Sequence, residues 1–404
     1  MEHIKALYHY IVAVIAVLVY GYPAKDLTVI AVTGTSGKTT TSHLIYSILK
    51  KSGRKAALIS SVEAIIGGKV SDTGFHVTTP SPFALQKFLK TAVSKGDKYV
   101  VVEASSHGIA QYRMLGTNVK IAVLTNIAHE HLDWHGTFEA YSQAKLSLIQ
   151  KAQVSVVNKD DESYKLVEKL GNKKAVILTY SLKDPDADFI PENTVSEVTL
   201  PGEYNRQNAI AASSVCQLLG VELEDIKKAF NSFNGVQGRF EEIKNKRGFR
   251  IIIDFAHKPN AFEALLSTLK KNADVSVGTP TQRRRGRLII MFGSAGERDK
   301  GKRSMMGKIA AKYADICVLT AEDPRSEDVN RIINEISQGT KGSEAQVIRI
   351  ADRALAINTV INKLAKKGDI VAFLGKGHEK SMCFGSKEYP WSEHEQINKA
   401  LAKR

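Results

Sequence analysis

Lys38 lies in the run Thr33-Gly34-Thr35-Ser36-Gly37-Lys38-Thr39-Thr40-Thr41, and the chemistry such a run can do is the holding of phosphate. Gly34 and Gly37 lack side chains, so backbone N–H groups can wrap an anion. Lys38 adds a point charge for the outer phosphates, and the Thr39 hydroxyl suits a Mg2+ ion. The complete pattern G-x-x-x-x-G-K-[ST] would have glycine at position 32, where this chain has Val32. The plain alternative is a glycine turn between a strand and a helix. A second group is Glu103, which closes the apolar run Val100-Val101-Val102 and precedes Ala104-Ser105-Ser106-His107-Gly108. A carboxylate at the tip of a strand beside a phosphate loop is placed to hold Mg2+; its bland reading is a solvated strand end. A third group is His129, Glu130, His131, Asp133 and His135, a polar cluster after a strand. It has neither cysteine nor an H-x-x-x-H pairing to support a closed zinc site.

These residues need elements to position them. Leu27–Val32 reads as a short buried strand, and Thr40–Lys51 places Leu44, Ile45, Ile48 and Leu49 at helical spacing. The loop between them then lies at a helix N-terminus, where the dipole favours negative charge. From Leu27 onward, strands alternate with amphipathic helices. The strands are Leu27–Val32, Ala56–Ser60, Lys98–Glu103, Lys120–Thr125, Val154–Asn158 and Ala175–Tyr180; the helices are Thr40–Lys51, Phe83–Lys95 and Phe138–Lys151. That is the signature of an α/β fold with a mainly parallel sheet covered on both faces, whose ligands lie at the carboxyl ends of the strands. Asp184–Pro201 is polar and irregular, and Asn205–Leu219 reads as a helix with an alanine-rich face. A second series follows Gly235-Val236-Gln237-Gly238-Arg239. Strands Phe249–Asp254, Arg287–Phe292, Asp315–Thr320, Gln346–Ile350 and Asp369–Leu374 alternate there with helices near 260–271, 302–313, 328–337 and 351–366. The sequence thus predicts a short apolar N-terminal helix over 1–24, a P-loop ATPase domain over 25–236 and a Rossmann-like domain over 237–404. The glycines of 234–240 form the hinge.

The net charge of +15, from 57 Lys and Arg against 42 Asp and Glu, suits polyanionic ligands: nucleotides, RNA or an anionic membrane surface. Arg283-Arg284-Arg285-Gly286-Arg287 carries no interleaved aromatic residue and reads as a solvated loop, so no nucleic acid is expected as partner. Cys216, Cys317 and Cys383 fit neither a disulfide framework nor a zinc knot, which favours a reducing cytoplasm. Ala6–Tyr22 is almost wholly apolar, has Lys5 as its basic flank and lacks a signal-peptide cleavage site. It falls short of the roughly 20 residues of a comfortable membrane span. Two readings follow: a helix packed on the ATPase core, or a peripheral membrane contact through residues 6–22 at the inner face of the membrane.

An ordered set of motifs carries a family resemblance. To the phosphate loop it adds Thr78-Thr79-Pro80, Glu103-Ala-Ser-Ser-His-Gly108, Glu130-His-Leu-Asp-Trp-His-Gly-Thr137, Ala144-Lys145 and Leu200-Pro-Gly-Glu-Tyr-Asn205. Gly238-Arg239, Asp254-Phe-Ala-His257, the run from Phe292 to Arg303, Asp323-Pro-Arg325 and Gly375-Lys-Gly-His-Glu379 continue it. From about Tyr20 to its end the chain resembles the Mur ligases, and within them the ligases that add the third amino acid to UDP-N-acetylmuramoyl-L-alanyl-D-glutamate in peptidoglycan synthesis. The short phosphate-loop form is that family's own. The resemblance implies that Gly34, Thr35, Ser36, Gly37, Lys38, Thr39 and Thr40 bind ATP, together with Asn126, Asn205, Asn208, Arg239, Asp254 and His257. It implies that Thr39, Glu103, His131 and Lys145 form the Mg2+ site, with Lys145 carrying a carbamate and Lys38, Glu103, His131, Lys145 and Arg239 serving catalysis. Thr78, Thr79, Ser105, Gln111 and Arg113 would contact a UDP-muramoyl-dipeptide-like acceptor. Arg298, Glu322, Asp323, Arg325, Gly375 and Glu379 would hold the incoming diamino acid.

Two departures bear on substrate. The diaminopimelate-adding enzymes carry Asp-Asn-Pro-Arg where this chain has Glu322-Asp323-Pro324-Arg325. The Arg325 guanidinium suits a terminal carboxylate, which favours meso-diaminopimelate over lysine, whereas Asp323 adds a negative charge where an amide stood. These ligases also usually begin with a uridine-binding domain, and here an apolar segment precedes the ATPase domain. A lipid-linked acceptor is the alternative this suggests, and a nucleic-acid-stimulated P-loop ATPase is the alternative from another class. The expectation is a monomeric cytoplasmic ligase.

Overall fold

The computed structural model describes residues 2–74, 78–128, 132–170, 175–273 and 286–403, and the chain divides into two compact units, Met1–Asn234 and Gly235–Arg404. The basic run 283–285 and His131 lie outside the described residues.

The first unit runs α1 (Glu2–Tyr20), β1 (Thr28–Thr33), α2 (Lys38–Lys51), β2 (Ala56–Ile59), β3 (Ala64–Ile66), β4 (Lys69–Ser71), α3 (Pro82–Ser94), β5 (Tyr99–Glu103) and α4 (Ser106–Ala110). It continues with β6 (Ile121–Leu124), α5 (Leu132–His135), α6 (Phe138–Lys151), β7 (Val154–Asn158), α7 (Tyr164–Glu168), β8 (Val176–Tyr180), α8 (Glu203–Leu218) and α9 (Leu223–Asn231). The described strands form one sheet in the order β4-β3-β2-β5-β1-β6-β7-β8, parallel from β2 to β8. Successive residues of a strand face opposite sides, and β-branched residues occupy both. Ile30 and Val32 of β1 join Leu44, Ile45 and Ile48 of α2 and Ala209 and Ala212 of α8 in one core. Val29 and Ala31 face the other way, toward Leu85 and Leu89 of α3 and Ile149 of α6. Because β1 lies between β5 and β6, the register sets Val32 beside Glu103 and Thr33 beside Leu124. Residues far apart in sequence therefore meet at one end of the sheet.

The apolar N-terminal segment is a helix packed along α3. Its small residues Ala13 and Ala16 are buried, and its rings meet neighbours edge-on, Tyr10 against Tyr112 and Tyr20 against Phe83. No helix among the described residues is long and apolar enough to cross a membrane.

The second unit runs β9 (Glu241–Ile243), β10 (Arg250–Asp254), α10 (Pro259–Ala273), β11 (Leu288–Phe292), α11 (Gly301–Tyr313), β12 (Ile316–Leu319), α12 (Val329–Gln338), β13 (Gln346–Arg349), α13 (Arg353–Thr359), β14 (Ile370–Leu374), β15 (Ser381–Phe384), β16 (Lys387–Pro390) and α14 (Glu393–Ala402). Its sheet has the order β13-β12-β11-β14-β10-β9, parallel except at β9. The helix expected over 351–366 ends at Thr359 and passes into a wider π turn over Val360–Leu364. The hairpins β3–β4 and β15–β16 were not expected; Gly67-Gly68, both at positive φ, turn the first of them.

Leu44 is fully buried between α2, the sheet and α8. Leu44→Ala should lower the unfolding free energy of the first unit by about 2–5 kcal/mol. Urea unfolding followed by circular dichroism checks this; an unchanged midpoint would remove Leu44 from the core.

Candidate active site

The phosphate loop connects β1 to α2, and its glycines are needed where they stand. A Cβ on Gly34 would lie 1.9 Å from Thr125 Oγ1, and one on Gly37, at φ +83°, would lie 2.4 Å from Asn208 Oδ1. Side chains from β6 and α8 thus press directly on the loop. Thr125 Oγ1 donates to the Ser36 carbonyl at 2.6 Å. The Ser36 N–H donates to Asn126 Oδ1 at 2.9 Å, and Asn126 Nδ2 returns a bond to the Ser36 carbonyl at 3.2 Å. Thr35 N–H donates to the Asn126 carbonyl. Lys38 Nζ curls back to the Thr35 carbonyl at 3.1 Å, and Thr40 is buried in the first turn of α2. On α8, Asn208 accepts from Thr41 Oγ1, and Asn205 Nδ2 donates to the Pro201 carbonyl. The loop is thus braced from β6 on one flank and from α8 on the other.

Glu103 is 2% exposed at the end of β5. Thr39 Oγ1 lies 3.1 Å from both of its oxygens, and Ser61 donates to Oε2 from its backbone N–H at 3.0 Å and its hydroxyl at 3.1 Å. Among the described residues its partners are therefore neutral donors. A buried carboxylate so served is a site for a cation, and hydroxyl and carboxylate oxygens suit a hard ion such as Mg2+. Ser61 was not singled out in the sequence; its signal is Ser60-Ser61 at the carboxyl end of a strand that neighbours β5. Among the described residues no three His, Cys, Asp or Glu side chains cluster as metal ligands.

Lys145 is not an exposed helix lysine. It is 2% exposed, donates from Nζ to the Gly34 carbonyl at 2.8 Å and lies 4.7 Å over the Tyr141 ring. Tyr141 is in turn bonded to Thr35 Oγ1 at 2.8 Å. On the same side of the sheet, Thr79 Oγ1 donates to the Glu103 carbonyl and accepts from Ser105 N–H at 2.8 Å. Arg113 donates to the Thr79 carbonyl and, through Nε and Nη2, to Gln111 Oε1. Thr79, Ser105, Gln111 and Arg113 thus form one network contiguous with Glu103, and half-buried Thr78 adjoins it.

In the second unit, Asp254 ends β10 and accepts from Phe240 and Ala256 N–H groups, each at 2.7 Å. Burial raises its pKa against the pull of Arg239, whose guanidinium stacks 4.4 Å from the Phe255 ring centre. His257 Nδ1 is bonded to the Phe255 carbonyl. After β12 and β14, a buried polar group assembles. Lys376 Nζ donates to Asp323 Oδ1 at 2.9 Å and Glu379 Oε2 at 2.6 Å. Burial opposes its charge, but the two carboxylates outweigh that and raise its pKa. Asp323 Oδ1 also accepts from Cys383 N–H of the β15–β16 hairpin. Arg325 adopts a left-handed backbone at φ +50° and donates to the Gly296 carbonyl at 2.7 Å. Arg298 lies exposed on the loop after β11. Lys376 was not singled out in the sequence, although it stands inside the Gly375–Glu379 motif.

Glu322 lies against Gly375, and among the described residues its buried Oε2 has no hydrogen-bond partner. Burial pushes its pKa up to about 7, against the pull of Lys302, Arg353 and Lys376 and with repulsion from Asp323.

A lysine-bearing glycine loop at the carboxyl end of a parallel sheet, with a buried carboxylate beside it, defines a P-loop nucleotide enzyme. Comparison with known proteins narrows the class. The Mur ligase middle domain matches residues 32–216, and the Mur ligase glutamate ligase domain matches residues 238–377. The UDP-N-acetylmuramoyl-L-alanyl-D-glutamate–2,6-diaminopimelate ligase of Caldanaerobacter subterraneus is 35% identical over 95% of this chain and 80% of its own length. The UDP-N-acetylmuramyl-tripeptide synthetase of Borreliella burgdorferi is 37% identical over 95% of this chain and 78% of its own. A solved UDP-N-acetylmuramoyl-L-alanyl-D-glutamate–2,6-diaminopimelate ligase superposes with a TM-score of 0.60 at 30% identity, covering 93% of this chain and 78% of that one. The chain belongs to the Mur ligase family of ATP-dependent ligases.

Glu322 gives a pH dependence of stability. Its folded pKa of about 7 exceeds the ordinary 4.5, so between those values the folded state holds a proton that the unfolded state has released. Stability should therefore fall as pH rises from about 4.5 to 7, by on the order of 3 kcal/mol. Glu322→Gln should flatten this segment of the curve in chemical denaturation across that range; an unchanged slope would show that Glu322 ionises normally.

Proposed function

We propose that this ligase joins a diamino acid, meso-diaminopimelate, to a UDP-N-acetylmuramoyl-L-alanyl-D-glutamate-type acceptor, forming an amide bond in peptidoglycan synthesis with release of ADP and phosphate. The observation that carries the reading is the match along 95% of the chain to a ligase named for that reaction. The local geometry supports it. The Lys38 loop amides hold the triphosphate, with Asn126, Asn205 and Asn208 bracing the loop; Arg239, Asp254 and His257 are further nucleotide contacts that the family resemblance implies. Thr39, Glu103, His131 and Lys145 would hold Mg2+, which neutralises phosphate charge when bound. Lys145 donates to Gly34 as a cation; a carbamate on it would make it an anionic ligand. The acceptor carboxylate, oriented by the Thr79–Ser105–Arg113 network, attacks the γ-phosphorus and the bond to the β-phosphate oxygen breaks. The amine of the diamino acid then attacks the acyl phosphate carbon, loses its proton, and phosphate leaves. Clustered positive groups serve both steps through positioning and charge stabilisation.

The second unit's residues bear on the amino acid. Asp323 replaces an amide with an acid that is engaged, together with Glu379, by Lys376, and the Arg325 guanidinium is the recognition group for a terminal carboxylate. That favours diaminopimelate over lysine. We take the enzyme to work as a cytoplasmic monomer with peripheral membrane contact through residues 6–22. A lipid-linked acceptor is the second reading, favoured by the apolar surface of α1.

Phosphate release should depend on both acceptor and diaminopimelate, and Lys38→Ala should lower it by at least about a hundredfold. A malachite-green assay over a panel of amino acids checks this. Equal stimulation by lysine would overturn the choice of amino acid, and full activity of Lys38→Ala would overturn the site.

A further inference from the structure

The outer face of α1 is a continuous apolar stripe. Ile4, Leu7, Tyr8, Ile11, Ile15, Leu18 and Val19 recur every three or four residues and all stand exposed, Leu7 at 59% and Leu18 at 73%. The opposite face, at Ala13 and Ala16, is buried against the unit. A helix of 19 residues is about 28 Å long, so the stripe is far more than a scattered surface leucine. Phe83 on α3 stands 39% exposed and meets Tyr20, which follows Ala13 and Ala16 on the packed side of α1. One and two turns further along α3, on the face that Phe83 occupies, stand exposed Lys87 and Lys90. Exposed Lys5 and Lys25 flank α1 at its two ends. Glu2 opens α1 and Asp26 follows Lys25, but neither Ile4–Tyr20 nor Pro82–Ser94 contains an aspartate or glutamate. The stripe is thus apolar, and across α1, its ends and α3 taken together lysines outnumber carboxylates.

We propose that this face lies in the interface of an anionic lipid bilayer, with α1 parallel to the membrane plane. The charge pattern selects the occupant. Lysines that border an apolar stripe meet acidic headgroups while the aliphatic side chains reach the acyl boundary. Because Ala13 and Ala16 hold α1 along the unit, the helix lies on the membrane rather than across it. This deepens the peripheral-contact reading above and is independent of the ligase assignment.

Co-sedimentation of the full chain with vesicles tests the proposal. Vesicles of phosphatidylcholine mixed with phosphatidylglycerol should bind it more tightly than phosphatidylcholine alone, and added salt should weaken the difference. Leu7→Asp with Leu18→Asp, both at exposed positions, should lower affinity about tenfold or more. Lys87→Ala and Lys90→Ala should each cost about fivefold on the acidic vesicles only. Phosphate release with soluble substrates should be unchanged in these variants, so a failed ligase assay and a failed membrane assay are separate results. No binding to acidic vesicles, or undiminished binding by the aspartate variant, overturns the proposal. So does a wild-type dimer in light scattering that the aspartate variant dissolves, which would make a second copy the occupant.

Discussion

A carboxylate sealed inside protein and served by neutral donors is the constraint on which the first unit turns. Glu103 loses its hydration at the end of β5, and two hydroxyls and one N–H replace only part of it. A buried carboxylate without enough partners is costly, and this set of hydroxyl and carboxylate oxygens is of the kind that suits a hard cation. The topology provides the place. Inserting β5 between β2 and β1 brings Ser61, Glu103 and the first turn of α2 to one point, although they come from three separated stretches of chain. The same ordering sets β6 on the other side of β1, so that Thr125 and Asn126 fix the loop from the opposite flank.

The second unit solves the opposite problem. Lys376 is a cation withdrawn from water, and two carboxylates surround it. Beside it the Arg353–Glu393 pair is buried almost completely, with the guanidinium also tying the carbonyls of Ala321 and Leu374. Paired and hydrogen-bonded buried charges hold geometry more than they add stability. Here they fix the ends of β12 and β14, the strands that carry Glu322, Asp323 and Gly375. Asp323 is thereby a structural acid as much as a ligand group, which is why its charge does not simply add to whatever meets Arg325.

The alternation of apolar runs and helical spacings made both sheets legible, because parallel strands buried on two faces leave long unbroken Val and Ile runs. Short antiparallel additions left weaker traces. β4 is wholly exposed, and so is β16 with Lys387, Glu388 and Tyr389, so neither shows an apolar pattern. In the site, Gly34, Lys38, Thr39 and Glu103 were legible since their types imply one chemistry. Ser61 was not, because a serine after a strand is ordinary until β2 is known to neighbour β5. Lys145 shows the same limit from the other side. Helical spacing alone reads it as a surface lysine, and only the fold turns it inward to Gly34.

The N-terminal helix separates two demands by side-chain size. Ala13 and Ala16 allow close approach to the unit, whereas leucines or isoleucines there would hold the helices apart. The large aliphatic residues are placed on the other face, where packing within the unit gives them nothing. Hydrophobicity alone could not distinguish the packed from the interfacial reading of residues 6–22, because both need an apolar helix. The distribution of small and large residues around the helix shows that the two are compatible: one face is used by the fold, and the other remains available to a surface rich in hydrocarbon.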